Sequence, residues 1–418
     1  MSYQVFTKSA APGTPAANKV SMYVDTTTRR ASQIDDNGVI SELANNGIKG
    51  FNVLHNGGFR VQQRQVAGST AIAGVSLTTR AGQVADRWAV ISSVTGATLS
   101  WQQVDTAGTP DTALQSRYYG SMIVATTARR ILLSQVILSS DMSHLRGKKV
   151  RLSIKHNQKV GSGQTFNLGL LQLTNAGTTD TMPTFLTASF STSNGVDPSW
   201  GTNLSVVAPE GTGENCTVGA SYAACTSVSG VWTKSSAVFT VPTAAKNLVF
   251  VFFQNNTGGT TDNISVAEAQ LTMGTEIVDF VEQPLGVELA NCQRFFSKSF
   301  PYAILPAVSV SVANGGHGSM GTQLIAGSGT LLGWHIPIVF PVRMWKVPAI
   351  TYYTPTTTGA TIFRHTGATP LAQGTASTVT SSLTDIGCIV SATNEATANA
   401  VVGNMGSIHW SCEADFIT

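Results

Sequence analysis

Along most of the chain, apolar and polar residues alternate with a period of two. The runs are short and are cut by turns rich in glycine, threonine and asparagine. Such runs predict half-buried strands, because successive side chains of a strand point to opposite faces. Val20, Met22 and Val24 open the series. Ile34 follows, then the hairpin pair Asn37–Gly38 with Val39, Ile40 and Leu43 behind it. Phe51, Val53 and His55 fall on one side of a further strand, Asn56–Gly58 make a turn, and Phe59 and Val61 resume. More strands are expected at Leu99–Trp101, Ile131–Leu138, Val150–Ile154, Phe166–Leu171, Phe185–Phe190, Val231–Val241, Leu248–Phe253 and Val266–Met273. The run Leu248–Phe253 is apolar on both faces and suits the interior of a sandwich. No helix-length period of 3.6 interrupts the series, so residues 51–283 predict a two-sheet sandwich or jelly roll.

The period then changes. Leu285, Leu289, Cys292 and Phe296 stand four, three and four apart, the stripe of a short amphipathic helix. Pro284 sits at its first turn and Pro301 just past its end. Beyond it the β pattern returns. Pro337, Pro341 and Pro348 interrupt the β-favouring stretch 334–353, which predicts edge or irregular strands. Ile408, Trp410, Cys412 and Phe416 alternate to one side of a closing strand. The expected fold is all-β in three parts: a small N-terminal β-hairpin attachment unit over 1–50, a central jelly-roll β-sandwich over 51–283, and a short linking helix with a C-terminal β-sandwich over 284–418. The first part holds too few apolar residues to form a core alone, so it is expected to dock on its own copies or on a larger assembly.

Composition narrows the partners. Charged residues make up 11% of the 418, against roughly 25% in a usual soluble domain. A surface wetted by hydroxyls and amides suits copies of the same chain or neutral sugars. The net charge of +3 and the lack of a basic stripe exclude a nucleic-acid binder. The pairs Arg29–Arg30, Arg129–Arg130 and Lys148–Lys149 are scattered and read as solvated strand ends. No apolar run is long enough for a transmembrane helix, so no membrane insertion is expected. Residues 1–15 hold no apolar leader, which predicts a product made and kept in the cytoplasm or released by another route. Five cysteines show no Cys-x-x-Cys spacing. A hairpin would bring Cys216 and Cys225 within bonding reach, whereas two free thiols suit a cytoplasmic product.

Two stretches resemble a known family. Asn52, Asn56, Gly57 and Phe59, followed by Asp86–Arg87–Trp88, are similar to the opening of the carbohydrate-binding-module-like jelly roll in tail fibres and related appendages of tailed bacteriophages. Residues 133–154 look like the next part of that module. Ala269–Gln270–Leu271, Phe280, Glu288, Leu289, Cys292–Gln293–Arg294 and Phe295–Phe296 look like its end. The Met-Arg-x-x-Pro pattern of the family is blurred here to VRMWKVP (342–348). Residues 21–38 resemble the short β-units that attach fibres to the particle. The resemblance implies a virion structural protein, a homotrimeric fibre or spike-like appendage assembled in the host cytoplasm. Other virion proteins would be held through residues 1–50. Leu285, Leu289, Cys292 and Phe296 would then meet sister chains on a three-fold axis.

Catalytic chemistry finds little purchase. Glycan cleavage needs two carboxylates facing one cleft. Asp35 and Asp36 are adjacent and read as turn acids, and Glu276, Asp279 and Glu282 read as capping or solvated groups. Ser319 lies in HGSMG, where a nucleophile elbow would need glycine in place of His317. The seven histidines show no helical pairing, so no metal and no cofactor are expected; His317 or His365 would qualify only by building a site from three copies. Host surface glycan is the expected small partner. Trp200 in the loop SNGVDPSWGTN is the candidate sugar platform, with Asn194, Asp197 and Asn203 beside it. The alternative is that Trp200 plugs the end of the sandwich. Two other classes compete with a non-enzymatic appendage: a secreted bacterial carbohydrate-binding protein and a polysaccharide-degrading tail spike.

Overall fold

The computed structural model describes residues 8–9, 21–25, 31–34, 40–42, 51–64, 70–71, 82–94, 99–107, 111–124, 129–160, 164–174, 180, 185–257, 263–302, 304–306, 319–325, 332–353, 363–366, 369–372, 377–393 and 405–415. The Asn37–Gly38 turn, Arg29–Arg30, Asp35, Asp36, His317 and Phe416 lie outside the described residues, as do the side chains of Ser319, His335, His365 and Ile408. No described helix is long and apolar enough to cross a membrane.

The first four strands form one sheet in the order Lys8–Ser9, Ser21–Asp25, Ala31–Ile34, Ile40–Glu42. The last three are antiparallel, with Ser21 opposite Ile34 and Ile34 opposite Ile40.

Two larger antiparallel sheets pack face to face. One runs Pro209–Glu214, Thr233–Thr240, Lys149–Val160, Asn263–Met273, Tyr118–Val124, Leu99–Asp105, Thr70–Ala71. The other runs Cys216–Val218, Ala223–Thr226, Thr165–Leu173, Asn247–Gln254, Ile131–Ile137, Ala89–Ser92, Gly82–Gln83, with Leu204–Val207 also paired to Thr165–Leu173. Alternation builds the core between them. Leu152, Ile154, Phe239 and Leu271 of the first sheet meet Leu133, Leu168, Phe250 and Phe252 of the second. Trp88 stacks into this core against Phe59 and Phe250, with centroids 5.0 and 5.3 Å away.

The second sheet is covered on its other face too. Leu132, Val136, Val249, Val251 and Phe253 point there, under Phe185, Phe190, Leu204, Tyr222 and Phe295. This is why 248–253 is apolar at every position: its even residues face one layer and its odd residues another.

Four local expectations give way. Phe51–His55 forms no strand. It is an extended arm along Asn263–Met273, held by the Asn52 side chain, which donates to the Ala269 carbonyl and accepts from the Leu271 N–H. Val53 and Leu54 are therefore both buried. Phe185–Phe190 makes only an isolated bridge, Leu186 to Trp200, because its aromatics lie across the sheet rather than in it. A helical turn at Ser139–Met142 and a 3-10 turn at Ser143–Leu145 bury Met142 and Leu145, in a piece too short to show a period. Arg129 and Arg130 are buried rather than solvated.

The linking helix spans Leu285–Gln293. Beyond it a nine-stranded sheet is centred on Met405–Glu413. The first half of this strand pairs with Ser319–Ile325 and Phe363–Thr366, the second half with Phe296–Lys298 and Ala349–Tyr353. Ile336, Ile338, Phe340, Val390, Trp410 and Cys412 fill its core. Pro337 opposes Ile389, while the partner on the other side reaches only Leu332–His335. The proline thus sits where that side of the strand has become an edge.

Candidate functional site

The residues with candidate chemistry fall into two places. The first is the loop 191–203 on the outer layer of the sandwich. Buried Arg130 pins it: Nη1 donates to the carbonyls of Ser191, Ser193 and Val196 at 3.1, 3.0 and 2.7 Å, and the guanidinium lies 4.7 Å from the Phe190 ring centre. Trp200 is half-buried. Its Nε1 donates to Tyr222 Oη at 2.7 Å and its ring meets Phe185 edge-on at 5.4 Å, so much of the indole does plug the layer. Asn194 accepts from the Thr257 N–H at 2.6 Å. Asn203 adopts a left-handed φ of 72° and its carbonyl accepts from the Thr174 N–H. Both asparagines therefore have work in shaping the loop. Asp197 is exposed, and with the uncovered part of Trp200 it is what this loop offers a ligand.

The second place is the seam. Asn56 folds its turn by donating from Nδ2 to the carbonyls of Val61 and Asp86, while Oδ1 accepts from the Val61 N–H. The Asn56 N–H donates to Glu288 Oε1 on the linking helix. Trp88 Nε1 donates to the Asn56 carbonyl at 2.9 Å. Arg87, at a left-handed φ of 76°, reaches Asp415 Oδ1 at 2.6 Å and lies 3.4 Å above the Phe295 ring. Arg64 makes a two-pronged bond to Glu413, at 2.7 and 3.2 Å, and stands 3.9 Å from Asp86. Burial pushes the Asp86 carboxyl up, opposed by Arg64. Burial likewise pushes the Cys292 thiol well above its usual range and lowers His55 to about 3. The charged groups of this joint face one another and, Glu413 apart, are shielded from water. Chemically it is a lock that fixes how the C-terminal part sits on the sandwich.

That geometry corrects the helix stripe. Cys292 and Phe296 are buried within their own chain, and Phe296 has left the helix to pair with Glu413. Neither can meet a sister chain. The helix turns Glu288 and Cys292 inward, leaves Leu289 half-buried and Leu285 exposed. The acids of the joint, Glu288, Glu413 and Asp415, were not singled out by spacing. Glu288 entered only through the family resemblance, and Glu413 and Asp415 lie at the end of the alternating closing strand with nothing in their spacing to mark them. Cys216 and Cys225 face each other across a hairpin and form a disulfide, so they are not free thiols. Glu276 and Asp279 are exposed. Among the described residues no group of three or more His, Cys, Asp or Glu could hold a metal ion.

No family model matches the chain, and no curated protein matches it. Solved structures that resemble it include the N-terminal carbohydrate-binding and hydrolase modules of a Clostridium thermocellum endo-1,4-β-D-xylanase complexed with xylohexaose, at 15% identity and a TM-score of 0.29 over 54% of this chain and 29% of that one. The enzymatically active domain of tailspike protein 4 from bacteriophage CBA120 matches at 11% identity and a TM-score of 0.26, over 45% of this chain and 20% of that one. A sugar-binding protein of Bacteroides thetaiotaomicron, so described in its structure, matches at 11% identity and a TM-score of 0.31, over 53% of this chain and 100% of that one. The chain thus spans less than a third of the xylanase and of the tailspike domain. The all-β sandwich architecture stands on the strand pairing itself.

Proposed function

We propose that the chain is a non-enzymatic structural subunit of a tailed-bacteriophage appendage, homotrimeric, held to other virion proteins through residues 1–50 and contacting host surface glycan. The observation that carries this reading is the seam joint. The Asn-Gly…Asp-Arg-Trp stretch and the Cys-Gln-Arg stretch, which bear the resemblance to appendage proteins, lie more than 200 residues apart and close on each other through Asn56–Glu288 and Arg87–Phe295. Two chance matches would have no reason to meet. Exposed Ile277, Val281, Leu285 and Val287, on the helix and the segment before it, support assembly, since exposed apolar surface is surface that a partner can cover. The test is to image intact particles with an antibody against the C-terminal sandwich. Label at a particle appendage is the expected result, and particles that carry no label would reject the reading. Absence of reducing-sugar release from host polysaccharide checks the non-enzymatic part.

A second reading, a secreted bacterial carbohydrate-binding protein, is favoured by one observation, the Cys216–Cys225 disulfide. Disulfides persist in secreted proteins and on virion surfaces but are rare in the cytosol. A monomeric, glycan-binding product recovered from bacterial culture medium would select it.

A further inference from the structure

The linking helix and the stretch Val342–Trp345, each part of a motif singled out in the sequence, form the walls of one cleft of about 460 Å³. That volume lies within the range of small-ligand sites. The helix contributes Asn291 and Arg294, the facing stretch contributes Arg343 and Trp345, and Asp385 closes the rim. Main-chain bonds hold the walls: the Trp345 N–H donates to the Arg294 carbonyl at 3.1 Å and the Met344 N–H to the Asp385 carbonyl at 2.8 Å. The Trp345 indole is itself fixed by its N–H bond to the Ala414 carbonyl. The frame is therefore built before any ligand arrives.

Its polar groups are left with capacity to spare. The Arg294 guanidinium has an ion-pair contact to Asp141 at 3.9 Å, and among the described residues neither it nor the Asn291 amide makes a side-chain hydrogen bond. Arg343 uses Nε on Asp385 at 2.6 Å and keeps its terminal nitrogens. This cleft presents two guanidinium groups against one carboxylate of its lining. Guanidinium forks match carboxylates in a two-pronged geometry. The half-buried Trp345 indole has the Lys346 ammonium 4.8 Å from its ring centre and Phe295 6.1 Å away, and the part that lines the cleft is apolar surface against which a sugar ring can rest, while Asn291 and Asp385 can bond ring hydroxyls.

We propose that this cleft is a binding subsite for a carboxyl-bearing saccharide unit. The proposal deepens the glycan contact proposed above and rests on it. It assigns that contact to Arg294, Arg343 and Trp345 in place of the loop at Trp200.

The test is titration calorimetry of the full chain against a panel of uronic-acid and nonulosonic-acid oligosaccharides, each paired with its carboxyl-reduced form. Expected is binding of at least one acidic member, weakened tenfold or more by carboxyl reduction. Arg294→Gln should weaken it by a similar factor at unchanged circular dichroism and unchanged assembly mass. Arg343→Gln, at a largely exposed position, serves as the second variant should Arg294→Gln misfold. Trp200→Ala should leave the affinity as it is. If acidic and reduced forms bind alike and both arginine variants bind like the parent, the cleft proposal falls while the glycan reading survives. If Trp200→Ala alone abolishes binding, the site belongs to the loop and the cleft proposal again falls. If the full chain binds no member of the panel, both fall together.

Discussion

Gly57 lies so close to the neighbouring strand that a Cβ added there would come within 2.1 Å of the Ala269 carbonyl oxygen. The Ala269 N–H in turn donates to the Gly57 carbonyl at 3.0 Å. This close main-chain approach is the physical reason for glycine in that motif. Arg87 is buried and pairs with Asp415. Breaking a buried pair strands the remaining charge, so Arg87→Ala should lose about 3–5 kcal/mol of stability in urea unfolding. Arg87→Met with Asp415→Leu should recover most of that loss. His156 gives a second test. It lies beside Phe166 and Phe252 with Nε2 at 2.8 Å from Ser235 Oγ, and burial lowers its pKa to about 4. A depressed folded-state pKa means stability that is full above pH 6.5 and lost as pH falls toward 4. Between pH 7 and 5 the parent should lose about 2 kcal/mol more than His156→Gln, read by urea unfolding at the two pH values. His55 acts in the same direction, whereas the buried carboxyls Asp86, Glu288 and Glu413, all raised by burial, act in the opposite one. The variant comparison isolates His156 from them. The Asn-Gly…Asp-Arg-Trp stretch could be recognised from residues alone, but its purpose could not, because the acids that complete it lie 232 positions away, at Glu288 from Asn56, and 328 away, at Asp415 from Arg87.

Among elements, the strands with a clean period were the legible ones. Leu248–Phe253 and Val266–Met273 occur within the observed Asn247–Gln254 and Asn263–Met273. The linking helix was legible in place, yet it ends at Gln293, short of the predicted Phe296, and its facing was not legible. Spacing shows that a stripe exists, and only the fold shows that Cys292 faces its own sandwich rather than a copy. Phe185–Phe190 misled for a related reason: a β-favouring run can cover a sheet as readily as join one. The hairpin Cys216–Val218 with Ala223–Thr226 sits at the end of its sheet, and there the disulfide holds what strand pairing holds on one side only. Closing a loop of this size stabilises by roughly 2–3 kcal/mol. Cys216→Ser with Cys225→Ser should lower stability by about that amount in non-reducing buffer. The same variant should respond no further to dithiothreitol, while the parent falls to meet it.

At the scale of the whole molecule, assembly is the open expectation, and the exposed apolar residues localise it. Val281→Asp with Leu285→Asp should shift the mass found by light scattering from three chains to one with circular dichroism unchanged; a trimer that persists would move the interface elsewhere. The all-β class was legible because alternation repeats in nearly every segment, whereas the way the parts lock together was not, since it depends on pairs such as Arg64 with Glu413, 349 positions apart. Arg87 and Asp415 stand 328 apart. A ribosome adding roughly 5–20 residues per second needs about 16–66 s to travel between them. For that interval every nascent chain carries Arg64 and Arg87 without their C-terminal partners, with Asp86 and the Val136 carbonyl left to face them. A polypeptide stopped before residue 413 never acquires Glu413 and Asp415, so its sandwich keeps the two arginines of the seam without the carboxylates that close over them.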